Sequence, residues 1–236
     1  MSTNPAKQTY VVALSTPFAI EEYRRRTVLL PGRWVLVTEK EQLTTKFLDE
    51  QNPRYVFFPH WSYHVPRSIH KRWECVCFHA ADVPYGRGGT PIQNLIARGH
   101  RSTVLTALRM VEALDSGPVY LKRELSLEGL AEEIYLRIAK QAFDMIEEIL
   151  ELKHVPVQQS GEVVVFDRRT PEQSALQLEE LEDEQQVFDF IRMLDAEGYP
   201  PAFLEIGEWV IEFKRPALRR TGVWTDAVIR RKRNDA

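Results

Sequence analysis

Short apolar runs alternate with charged, helically periodic stretches through the first half of the chain. YVVAL at 10–14 and WVLV at 34–37 are continuous apolar runs of the buried-strand kind. RYVFF at 54–58 and ECVCF at 74–78 repeat the pattern. After the stop at Pro17, Ala19 to Tyr23 opens a charged helix. Thr38 with Glu41 three residues on has the form of a capping box, which predicts a helix over 39–50, ended before Pro53. Strand alternating with helix at this rhythm predicts an α/β fold built on a doubly wound, mostly parallel sheet.

Thr90 followed by Pro91 opens another helix. A strand over 103–111 and a hairpin partner over 119–125 flank the turn at 115–118. From 130 to 152, Ile134, Ile138, Ala142, Met145, Ile146 and Ile149 recur at helical spacing, predicting one long amphipathic helix whose stripe is core. Beyond Pro156 the character changes to a small strand at 162–166, an acidic run at 179–184, a short helix at 186–194, and two strands at 203–206 and 209–213 turned by Gly207. The acidic run reads as a solvated helix start, where negative charge suits the backbone dipole. These shifts divide the chain into a main domain, 1–155, and a small α+β extension, 156–236.

Composition changes the picture little. With 44% hydrophobic and 28% charged residues the chain is that of a soluble globular protein. A formal charge of −3 argues against a broad cationic surface, and so predicts no nucleic-acid partner. The basic stretch at 230–233 reads as a solvated, frayed terminus. Cys75 and Cys77 are too close for a comfortable disulfide and too few for a structural zinc, so a reducing compartment is expected. No apolar run has the length of a membrane span and no secretory segment opens the chain, which predicts a cytoplasmic protein without a membrane partner.

The chemistry concentrates at His79, which ends an apolar strand, precedes a Pro/Gly-rich loop, and is followed 36 positions later by Asp115 at a second strand end. Ligand sites in open α/β sheets lie at the carboxyl ends of strands, so the pair falls where a site belongs. An imidazole suits proton handling and a carboxylate can orient or balance it. Cys77, two residues before His79, projects to the same face about 6.5 to 7 Å away, which admits a rival in which a Cys77 thiolate is the nucleophile.

The order His79, Pro84, Arg87-Gly88, Pro91-Ile92-Gln93 and then Leu114-Asp115-Ser116-Gly117 resembles the signature of the folate-dependent formyltransferases, matching most strongly over 55–125. The signature begins with an asparagine where this chain has Cys77. The resemblance implies a Rossmann-type catalytic domain and 10-formyltetrahydrofolate as cosubstrate. It implies His79 and Asp115 as the catalytic pair, with Cys77 at the third catalytic position. An amide offers an oxyanion good donors and a thiol a weak one, which makes His60, Ser62 and protonated His79 the candidate replacements. The pterin is expected between the loop with Ser62, Tyr63 and Val65 and the turn with Leu114 and Asp115, with Arg87 and Gly88 walling the acceptor side.

Three branches compete. Ser15-Thr16-Pro17 after the first strand lacks the glycine-rich phosphate loop of the glycinamide-ribonucleotide branch. The short, acidic-opening extension disfavours the methionyl-tRNA branch. The segment from Arg192 to Tyr199-Pro200 is similar to the sugar N-formyltransferases, in particular those serving pseudaminic-acid-type sugars. That similarity implies a nucleotide-linked amino sugar as acceptor, with Tyr199 or Phe203 stacking on a uracil. The alternatives left open are methionyl-tRNA or another small amine as acceptor, and a weakened folate or nucleotide-sugar binding protein. A homodimer is a further open expectation.

Overall fold

The computed structural model describes residues 8–232. In chain order the regular elements begin with β1 (Thr9–Leu14), α1 (Pro17–Thr27), β2 (Arg33–Val37), α2 (Thr45–Gln51), β3 (Tyr55–His60), α3 (Arg67–His70) and β4 (Cys75–His79). They continue with β5 (Tyr85–Gly88), α4 (Pro91–Ala97), β6 (Ser102–Arg109), β7 (Val119–Ser126), α5 (Ala131–Leu152) and β8 (Val164–Phe166). Two short 3-10 turns then lead to α6 (Glu184–Arg192), β9 (Ala202–Ile206), β10 (Trp209–Arg219) and β11 (Gly222–Arg231).

The main sheet has the order β2-β1-β3-β4-β6-β7. Its first four strands pair in parallel, and β6 runs antiparallel to β4. This is the expected doubly wound, mostly parallel architecture. Winding reverses between β1 and β3, a topological switch point where the loops at the strand ends part. Helices cover both faces because both faces are apolar. On one, Val11, Ala13, Val56, Phe58 and Cys75 pack with Leu48 of α2 and Ile69 of α3. On the other side of the strands, α1 and α5 meet through Tyr23 and Phe143, rings 6.4 Å apart, and through Arg26, which bonds Glu147 and Asp144.

Helix α2 starts later than its sequence suggests. The amide groups of Thr38 and Glu39 both donate to Gln42 Oε1, at 3.0 and 3.1 Å, and tie 38–44 into turns. Thr44 supplies the cap, its hydroxyl accepting from the Phe47 amide at 3.1 Å. The Pro/Gly-rich loop after His79 is likewise more regular than predicted, since β5 within it pairs with β8.

By contact the chain forms two compact units. The first comprises 1–88, 104–125 and 136–165; the second comprises 89–103, 126–135 and 166–236, of which only 8–232 are described. Within the second, β9, β10 and β11 form an antiparallel sheet. The basic stretch is not a frayed end: Arg230 and Arg231 belong to β11, Arg230 pairs with Glu212 at 2.6 Å and Lys232 with Glu205 at 2.6 Å. Arg233 lies outside the described residues. Among the described residues no helix is long and apolar enough to cross a membrane.

Candidate functional site

Strand β4 delivers His79 to the carboxyl end of the sheet, opposite Thr106 of β6. Its Nε2 lies 2.7 Å from the carbonyl oxygen of Gly86. A carbonyl only accepts, so this bond selects the tautomer with hydrogen on Nε2 and leaves Nδ1 as the basic atom. Nδ1 is 3.5 Å from Asp115 Oδ2, and both side chains are about a tenth exposed. A proton arriving at Nδ1 would therefore lie beside that carboxylate. The same Oδ2 accepts from the Gly88 amide at 3.0 Å, which anchors the carboxylate to β5.

Asp115 sits at φ 50°, a left-handed conformation that aspartate tolerates better than most residues. The turn closes tightly against the end of β6. A Cβ on Gly117 would stand 1.8 Å from the Arg109 carbonyl oxygen, so only glycine allows the approach.

Cys77 is partly buried and packs against the core beneath α2 and α3. Its sulfur donates to the Leu108 carbonyl oxygen at 3.7 Å, and burial, reinforced by the negative charge of Asp115, pushes the thiol far up from its ordinary range. Cys75 is pushed up to about 12, chiefly by burial. Burial disfavours a thiolate at both positions, which weighs against the nucleophile rival.

The oxyanion candidates fare unequally. Ser62 is engaged with Ser15, hydroxyl to hydroxyl at 3.0 Å, and its amide donates to Ser15 Oγ at 3.1 Å. Those bonds stitch the two loops at the switch point. The half-buried His60 ring lies edge-on to Phe18, centroids 5.4 Å apart, and burial lowers its pKa from the ordinary value.

The two segments expected around a pterin are neighbours. Arg67, just after the 61–66 loop, lies 3.0 Å from Glu112 in the Asp115 turn. Tyr63 is 41% exposed and Leu114 is 70% exposed, leaving apolar surface for a flat ligand, whereas the Val65 side chain is spent in the core at 7%. Arg87 does not reach outward: its Nε and Nη2 donate to Gln159 Oε1 at 3.1 and 2.7 Å. Gln159 carries no motif and was invisible to sequence reasoning; only its long-range bonds reveal it.

Tyr199 and Phe203 belong to the second unit. Tyr199 stacks on Tyr135, centroids 5.3 Å apart and planes 17° from parallel. Phe203 lies in β9, its carbonyl accepting from the Leu176 amide at 2.7 Å. Arg192 is fully buried and serves structure: it bonds Asp189 at 2.5 Å and the carbonyl oxygens of Leu127 and Gly129 at 2.6 and 2.8 Å.

Residues 171–230 match the family described as methionyl-tRNA formyltransferase, C-terminal domain. The structure of a methionyl-tRNA formyltransferase from Clostridium thermocellum is 38% identical, with a TM-score of 0.91 over 95% of this chain and 100% of that one. A methionyl-tRNA formyltransferase of Sulfurimonas denitrificans is 32% identical over 89 residues, 37% of this chain and 30% of that protein. The match thus spans about a third of that curated relative's length. A 4-N formyltransferase from Francisella tularensis shares the fold at 13% identity, with a TM-score of 0.68 over 97% of this chain and 98% of that one.

These matches overturn two expectations, the nucleotide-linked amino sugar as acceptor and the absence of a nucleic-acid partner. The first rested on a short motif, of which Arg192 and Tyr199 are held by packing and hydrogen bonds within their own unit. The second rested on a charge summed over the whole chain. That sum hides a local excess, seven basic residues against Asp226 alone between Lys214 and Lys232.

Proposed function

This chain belongs to the formyltransferase family, and on that premise we propose that it moves a formyl group from 10-formyltetrahydrofolate to the amino group of methionyl-tRNA. The observation that carries the acceptor is the match over nearly the full chain to the Clostridium thermocellum methionyl-tRNA formyltransferase. The folate, when bound, supplies a formyl group already activated on nitrogen. The protein's own part is to manage one proton and one developing negative charge.

The attacking amine must shed a proton, and His79 Nδ1 is the base that takes it, beside Asp115. The Cys77 thiol, a weak donor already turned to the Leu108 carbonyl, is poorly suited to the developing oxyanion. The reading assigns that donation to the imidazolium at Nδ1, which then returns its proton to the departing nitrogen. The Gly88 amide holds the Asp115 carboxylate in place. The exposed Arg219 and Arg220, at the turn between β10 and β11, are the cations this reading assigns to tRNA phosphates.

Incubation of the full chain with 10-formyltetrahydrofolate and methionyl-tRNA, read as formylmethionine released from the tRNA, tests the assignment. Formylation that requires both substrates is the expected result; none above background, with folate bound, would overturn it. Direct attack by the amine also predicts that Cys77→Ser keeps the rate within about threefold, and that native protein resists iodoacetamide at Cys77 until unfolded. Rapid alkylation with matching loss of activity would restore the thiol reading.

A further inference from the structure

We infer that Gln159 is a positioning residue for Asp115, an inference whose kinetic arm rests on the proposed formyl transfer. The segment after α5 is pinned to β7 by the Val119 and Val157 backbones, which exchange amide-to-carbonyl bonds of 2.7 and 2.8 Å. Two residues on, the Gln159 amide reaches the site. Its Nε2 donates to the carbonyl oxygens of Asp115 and Gly117, both at 2.8 Å. Its Oε1 accepts twice from Arg87, whose neighbour Gly88 donates to the Asp115 carboxylate.

Both donors and the acceptor of the side chain are thereby used, and the amide has one orientation, because a flip would set its NH2 against a guanidinium and its oxygen against two carbonyls. The clamp grips the backbone at a left-handed Asp115 and two residues beyond it, and through Arg87 also the strand that binds its carboxylate. It so fixes the distance from Asp115 to His79 without touching either side chain.

Gln159→Glu keeps the size and the oxygen facing Arg87 but replaces the donor by an oxygen facing the two carbonyls. The expected result is a kcat about 100-fold lower with KM for both substrates within about threefold, the signature of misplacement rather than lost binding. In an Asp115→Asn background the same change should cost nothing further, since the two act as one unit. The Gly88 amide resonance, which reports the bond to Asp115, should move upfield in the unliganded protein. Gln159→Leu repeats the test without new charge, should the glutamate variant fail to fold.

Losses that multiply with Asp115→Asn, or a Gly88 resonance that stays in place, would overturn the inference. If the parent protein formylates no methionyl-tRNA, the assignment of acceptor fails by itself, and the Gly88 resonance still decides the role of Gln159.

Discussion

His79→Ala is expected to lower kcat for formyl transfer about a thousandfold, with the thermal midpoint close to the parent's. The side chain makes one bond to the Gly86 carbonyl and lies 3.5 Å from the Asp115 carboxylate, so its removal costs little of the fold. It removes the base that the geometry sets against the Asp115 carboxylate at this strand end. Asp115→Asn is the sharper companion. Asparagine tolerates the left-handed backbone at 115, and its amide cannot balance a proton at Nδ1. A loss in kcat of the same order is expected, with KM nearly constant. Initial rates with methionyl-tRNA and 10-formyltetrahydrofolate, beside circular-dichroism melts, check both. Retention of more than a tenth of the parent rate by His79→Ala would remove the imidazole from the mechanism.

Arg192→Met should be the most damaging single change to stability, about 3 to 5 kcal/mol. The guanidinium is fully buried and binds Asp189 together with the carbonyl oxygens of Leu127 and Gly129. Methionine fills the volume and satisfies none of them. Asp189 retains Arg101 at 3.4 Å, a longer and more exposed partner, so compensation is incomplete. Urea unfolding should show a lower midpoint with an unchanged slope. Arg215→Ala, which breaks an exposed pair with Asp226, is the control and should barely move the midpoint.

Local pattern was a good guide to the elements with strong period. The strands at 10–14, 34–37 and 54–58 and the helix at 130–152 appear within one or two residues of their expected places. Each is specified by its own run of apolar positions. The helix over 39–50 shrank because a capping box is a bid for the amides at 38 and 39, and Gln42 outbid Glu41 for them. Strand β11 went unread because its residues, GVWTDAVIRR, alternate poorly and become a strand only by pairing with β10. The same strand absorbed the basic stretch that looked like a loose end.

What the sequence determined unaided was the alternation that winds the sheet and the spacing that sends His79 and Asp115 to ends of neighbouring strands. Both follow from short-range rules, period along an element and reversal at a turn. The tertiary structure alone decided that Cys77 turns to the Leu108 carbonyl, that Arg87 is held rather than offered, and that Gln159 grips the Asp115 turn from 44 residues away. Those outcomes are hydrogen bonds between groups distant in the chain. A side-chain amide or thiol carries no local signal of which remote carbonyl it will meet.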